Sequence, residues 1–215
     1  MLLRESKVSA LAYDFDKTHE MILESAMKNF LAAGFQNASI RKICADAGVT
    51  NGAFYAHFKN KEELFDKLVE PILKGLYDLI NTENETYNTV GSPEDILDAF
   101  DNTFKTDRIL IHYIYENPNV FKLLLCSNGG TRYEDFPADL IDSEERSTKA
   151  FLEKCRSYIG IPEGISEILI NKVSMFVVST VFECFMKNMS EEETLCETNL
   201  ASKFCIAGLK QILNV

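Results

Sequence analysis

Ser39, Arg41, Lys42, Thr50, Tyr55, Lys59 and Lys61 lie close together in a chain whose formal net charge is −11. Hydroxyl, guanidinium and ammonium groups donate hydrogen bonds to phosphate oxygens, so this stretch has the chemistry to hold a polyanion. The acidity of the whole does not oppose it. Residues 1–62 carry eight Lys and Arg against seven Asp and Glu, while residues 63–215 carry 14 against 26. The negative charge thus belongs to the carboxy-terminal two thirds, and a contact surface in the first third is free of it.

These side chains need elements to aim them. Apolar residues recur at three- and four-residue steps nearly throughout, and no segment sustains a period of two, which predicts an all-α fold of about nine helices. A first helix is expected over about 16–33, with Ile22, Leu23, Ala26, Met27 and Phe30 inward and Gly34 as its breaker. A second starts after Ser39, a good N-cap, and runs to Gly48. A short third covers about 51–57, and Asn60 caps a fourth in which Pro71 is expected to produce a bend. The second and third, joined by "AGVT", have the length and turn chemistry of a helix-turn-helix. The four-residue step from Phe54 to Phe58 fixes the buried side of the third helix, which leaves Gly52, Ala53 and Ala56 outward, flanked by Tyr55 and His57. A rod with so thin an edge suits a major groove about 12 Å wide. The starts of the second and fourth helices add backbone N–H groups beside it.

The stretch "GFQNASIRKICADAGVTNGAFYAHFKNKEELF" resembles the amino-terminal domain of the TetR/AcrR family of bacterial transcriptional regulators, and the first helix extends the likeness back to about residue 17. The resemblance implies a three-helix DNA-binding domain over residues 1–62 and a larger helical ligand-binding and dimerisation domain over 63–215. It also implies site residues. Tyr55 and Lys61 would hold phosphates, Ser39 would sit at the DNA backbone, and Arg41, Thr50, Asn51, Ala53 and His57 would lie near bases or adjacent phosphates. Lys42 joins this set as a phosphate candidate from its place at the start of the second helix. Two features depart from the family pattern. Ala53 stands where a hydroxyl residue is common, so it offers only apolar contact, and "YDFDKTHE" is more acidic than the usual basic arm.

Further along, helices are expected over about 93–116 with Ser92 as N-cap, 119–127 after a break at Asn117-Pro118, 137–158, 163–188 and 191–213, with "NGGTRYEDFP" as a loop. The helix at 163–188 is apolar on almost every side and must be buried on more than one face. That predicts a homodimer in which this helix and the one after it pair with their symmetry mates. Phe100, Phe104, His112, Tyr113, Phe121 and Phe176, with Tyr115 and Tyr133 near them, supply aromatic surface for a largely apolar effector pocket.

Other chemistries have less support. Six cysteines contain no CxxC pair and the three histidines are scattered, so no metal site is expected. No nucleophile elbow, phosphate loop or metal motif indicates an enzyme, and no cofactor is expected. The amino terminus lacks the continuous apolar core of a signal peptide, and "VSMFVVSTVFECFM" is interrupted by Ser, Thr and Glu, so neither secretion nor a membrane span is expected and the cytoplasm is the default. The expected function is therefore a regulator, most simply a repressor released from a palindromic operator on double-stranded DNA by a small molecule. A helical protein-interaction module and a redox-sensing regulator that uses its cysteines are the alternatives.

Overall fold

In the computed structural model the backbone is described for residues 2–87, 91–156, 158 and 166–213; the side chains of 2–13, 83–87, 93, 100, 101 and 213 lie outside that description. Among the described residues there are nine α-helices and no strand. They are α1 (Leu2–Asn37), α2 (Ile40–Ala47), α3 (Asn51–His57), α4 (Lys61–Tyr87), α5 (Pro93–Glu116), α6 (Pro118–Lys122), α7 (Phe136–Arg156), α8 (Glu167–Met186) and α9 (Glu191–Leu213). The all-α expectation holds.

Local chemistry accounts for most of the boundaries. Gly34 interrupts α1 at φ 74°, a conformation that an L side chain resists, so the regular helix stops there and a last turn leads to Asn37. Toward the amino terminus α1 runs to Leu2 rather than stopping near 16, because residues 2–33 hold no Gly or Pro to break it. The Ser39 hydroxyl accepts from the Lys42 N–H at 3.2 Å, and the Thr50 hydroxyl from the Ala53 N–H at 3.1 Å, which caps α2 and α3. Gly48 ends α2 at φ 69°, and the Val49 N–H reaches back to the Cys44 carbonyl at 2.9 Å, the bond pattern of a Schellman turn. Asn60 Oδ1 accepts from the Glu63 N–H at 2.8 Å, while the Glu63 carboxylate accepts from the Lys59 N–H at 2.6 Å. α4 continues through Pro71, which is exposed and which cannot donate to the carbonyl four residues before it.

The chain divides into two compact units. The first comprises Met1–Leu73 with Asn119–Glu134, and the second Lys74–Pro118 with Asp135–Val215. The first is wider than residues 1–62 because a downstream segment joins it. A π-helical turn, Leu123–Ser127, packs on α1, and Phe121, Leu123 and Leu124 are fully buried. Arg132 then binds two carboxylates one turn apart on α4, Asp66 at 3.2 Å and Glu70. Residues 128–134, which the sequence marks as a loop, form the end of this clamp.

In the second unit α8 packs on α7 and α9, and α5 packs on α9. Its core gathers Ile96, Ala99, Phe151, Leu152, Cys155 and Ile170, with Ile206 and Leu209 against it. A Cβ on Gly75 would come within 2.2 Å of the Tyr113 hydroxyl, so the missing side chain is what lets α5 approach α4 there. By length and composition α8 could cross a membrane, yet here Ile170, Phe182, Cys184 and Phe185 are buried within the unit.

Candidate functional site

The helix-turn-helix is held to α1 by buried polar contacts. Asn29, 6% exposed, donates to the Ser25 carbonyl and to Asp46 Oδ2 at 2.9 Å, while the Ser25 hydroxyl donates to the Ile43 carbonyl at 2.8 Å. Hydrogen bonds from Lys42 and Asn29 hold the Asp46 carboxyl below the usual carboxylate range. With Ile22, Ala26, Phe30, Ile43, Phe54, Phe58 and Phe65 fully buried or nearly so, α2 and α3 have a fixed seat. Aromatic edges meet inside it, Phe30 on Phe65 and Phe35 on Phe65, both with centroids 5.3 Å apart.

On that seat α3 presents its small side. Phe54 and Phe58 point inward, whereas Asn51, Gly52, Tyr55 and Ala56 are exposed and Ala53 is half-buried. Tyr55 is 60% exposed. Arg41, on the outer side of α2, is exposed. Lys42 is exposed too, but its ammonium sits 2.7 Å from Asp46. Ser39 and Thr50 spend their hydroxyls as caps while remaining exposed. His57 is half-buried and stacks on Phe15 with centroids 3.9 Å apart; its Nδ1 has no partner, and burial followed by nearby His19 pulls its pKa below the ordinary imidazole value.

Lys61 stands apart from this set. Its ammonium donates to the carbonyls of Phe35 at 2.6 Å, Ala38 at 3.0 Å and Gln36 at 3.2 Å, and it lies 4.4 Å from the centre of the Phe35 ring. Three donors meeting three carbonyls leave the ammonium no free N–H for a phosphate in this conformation.

A second feature lies in the carboxy-terminal unit. A cavity of about 180 Å³ is lined from α4, α5, α7, α8 and α9, among others by Leu76, Leu110, Phe151, Val177 and Phe182, with the carboxylates of Asp107 and Glu144 in its wall. The aromatic residues expected to form a pocket are not gathered here. Phe104 borders a separate, shallower depression with Lys105 and Arg108. His112 faces outward between Glu116 at 3.5 Å and Glu191 at 3.0 Å. Tyr113 fills the gap left by Gly75, Phe121 belongs to the amino-terminal unit, and Phe176 lies on an exposed side of α8. The Phe100 side chain lies outside the described residues. The signal that sequence reading missed was a carboxylate in an apolar stripe: Asp107 falls four residues from both Thr103 and Ile111, which also line the cavity.

None of the cysteines is in a disulfide; Cys44, Cys155, Cys184 and Cys205 are buried, and burial pushes the Cys155 thiol up to about 11. Such thiols are poor nucleophiles at neutral pH. Among the described residues no three His, Cys, Asp or Glu side chains gather as a metal site requires.

Comparison with known proteins agrees with this geometry. Residues 22–68, the stretch from mid-α1 into α4, match the family described as "Bacterial regulatory proteins, tetR family". An uncharacterized HTH-type transcriptional regulator of Haemophilus influenzae is 25% identical over 168 residues, 78% of this chain and 75% of that protein. The transposon Tn10 TetC protein of Escherichia coli is 33% identical over 87 residues, 40% of this chain and 44% of that protein. Among solved structures, SmeT, the repressor of the Stenotrophomonas maltophilia multidrug efflux pump SmeDEF, shares the fold with a TM-score of 0.59 at 20% identity, over 89% of this chain and 91% of that one. The match is centred on the capped, phenylalanine-seated helix pair, which makes residues 22–68 a helix-turn-helix similar to that of the tetR family of bacterial regulatory proteins, and the solved structure shares the helical fold over most of the chain.

Proposed function

We propose that the protein is a homodimeric repressor that grips a palindromic operator and is released by a small molecule bound in the carboxy-terminal unit. The observation that carries this reading is α3, anchored by Phe54 and Phe58 and open along Asn51, Gly52, Tyr55 and Ala56. Placed in a major groove, α3 brings Asn51 and His57 toward base edges and Ala53 toward an apolar contact such as a thymine methyl. Ser39, Arg41, Lys42, Thr50 and Tyr55 ring that edge and serve the phosphates. Lys61 tethers the start of α4 to the end of α1 and so positions the site instead of touching DNA. Residues 1–62 supply the DNA reader, and the rest of the chain the ligand-binding and dimerisation functions.

The dimer rests on α8 and α9. Ile168 and Phe176 on the former, with Leu200 and Phe204 on the latter, are large apolar side chains left 46–75% exposed, and Phe176 and Phe204 meet edge to face at 6.2 Å. A second copy that covers this patch from its own α8 and α9 removes it from water and sets two α3 helices on one face of the duplex. Release follows from α4, which belongs to both units and contributes Leu76 and Ile80 to the cavity wall. A ligand that displaces α4 alters the separation of the two α3 helices, which must match successive major grooves about 34 to 36 Å apart. Such a regulator works in the cytoplasm, where its DNA is.

The test is fluorescence anisotropy on duplexes selected from a random pool. A palindromic preference, one dimer per site and a steep loss of affinity with salt are expected, because phosphate contacts release counterions. Binding without sequence preference, or indifferent to salt, overturns the reading.

A further inference from the structure

The cavity described above has largely apolar walls interrupted by hydroxyls such as those of Thr103, Ser147 and Thr148, and a pair of acids with no basic residue in its lining. Asp107 comes from α5 and Glu144 from α7, and no Lys, Arg or His stands among the lining residues. Asp107 has one neutral partner, the Ser202 hydroxyl, which donates to its Oδ2 at 2.7 Å. Glu144 has no hydrogen-bond or ion-pair partner among the described residues. The basic side chains nearest it along α7 are engaged elsewhere. Lys149 bridges Glu145 at 2.8 Å and Glu167 at 3.4 Å, and Arg146 is exposed, with its charge felt at Glu145 and Tyr77.

Glu144 is exposed as a residue, while the protein around its carboxyl pushes it up to about 7 by desolvation, with the charge of Asp107 adding to the effect. Burial likewise pushes Asp107 up to about 6. Two carboxyls on one largely apolar cavity, with no basic side chain in its lining, cost stability when both are charged. A molecule that brings the missing positive charge removes that cost, whereas an anion adds to it and a neutral molecule leaves it in place.

The geometry points to an organic cation with an apolar body as the ligand of this cavity, its hydrocarbon lying against walls such as Leu110, Val177 and Phe182 and its cationic head at Asp107 and Glu144. This deepens the proposed function and rests on its reading that the cavity is the effector site. It makes the charge of the effector, and not only its apolar bulk, the basis of selection. The cavity's volume, close to that of a dry engineered cavity able to take a single benzene (about 150 Å³), calls for a compact or single-chain cation.

Three probes of equal chain length separate the possibilities: octylamine, which is cationic at neutral pH, 1-octanol and octanoate, each titrated calorimetrically into the full-length protein. Octylamine is expected to bind at least about tenfold more tightly than 1-octanol, with octanoate weakest. Glu144→Gln and Asp107→Asn should each reduce that preference and leave 1-octanol affinity unchanged, which also reports that the cavity is still folded. Equal affinity for the three probes, or a preference for octanoate, overturns the cationic assignment while leaving the effector cavity standing. Binding by none of them overturns both. Octylamine that binds as expected but leaves the selected DNA duplex bound supports the cationic assignment and overturns the effector reading instead.

Discussion

The two units handle polar groups and apolar surface in opposite ways. Among the described residues of the amino-terminal unit, polar groups withdrawn from water are answered from within, Asn29 by Ser25 and Asp46, the Ser25 hydroxyl by Ile43, and Lys61 by three carbonyls, with His57 Nδ1 as the exception. Among the described residues of the carboxy-terminal unit the hydroxyls of Ser174 and Thr198 are buried without a partner, Glu144 has no counter-ion, and Phe204 is 75% exposed. A part that must fit one duplex shape gains from being complete and rigid. On the function proposed above, a part that accepts a second copy and a ligand has to leave groups unmatched until they arrive.

Breaking the rigid side should have the largest effect. Phe58→Ala removes a 2% exposed ring from under α3 and should cost about 3–5 kcal/mol, read by chemical denaturation, with DNA affinity lost in parallel. On the unfinished side, Phe204→Asp should leave the fold intact and convert dimer to monomer in analytical ultracentrifugation; a dimer of unchanged strength would place the interface elsewhere. Gly75→Ala drives a methyl into Tyr113 and should cost about 1–3 kcal/mol, part of which Tyr113→Phe restores in the double variant.

A pH series isolates Glu144. Desolvation and the charge of Asp107 push its native carboxyl up to about 7 from an ordinary 4.5, with Asp107 itself pushed up to about 6, so the folded state holds the proton more tightly than the unfolded one. The stabilisation this provides is complete below about pH 4.5 and is lost as pH rises through about 7. Thermal midpoints of Glu144→Gln should therefore fall less across that window than those of the parent, and the difference between the two curves is the quantity to measure. The smallest effect is expected at the DNA edge. Tyr55→Phe should lose about 0.5–1.5 kcal/mol of affinity for every duplex alike, whereas Asn51→Ala should change which duplex is preferred.

The amino-terminal unit was legible in the sequence because its instructions are local. Gly34 and Gly48 are needed for positive φ, Ser39, Thr50 and Asn60 are caps, and Phe54 and Phe58 share a face because they are four residues apart. The position of the Lys61 ammonium was not legible, because three carbonyls 23 to 26 residues away, brought near only by folding, decide where it goes. The cavity was illegible for a similar reason. Ring size suggested Phe104, His112 and Tyr113, but how each helix is rotated against its neighbours decides which side chains face the same space, and that rotation turned Asp107 and Glu144 inward. Residues 128–134 read as a loop because Asn-Gly-Gly signals a turn, while the fastening role of Arg132 depends on an acidic pair more than 60 residues earlier.

That fastening changes what can be cut from the molecule. The polypeptide passes between its two units at three places, after Leu73, Pro118 and Glu134, so the DNA-reading head is a stitched-in piece and not a bead on a string. A fragment that stops near residue 73 would lack Phe121, Leu123 and Leu124 and bare the hydrocarbon they cover on α1. Anyone wanting the isolated head should graft the 119–134 stretch back through a short linker instead of truncating the gene.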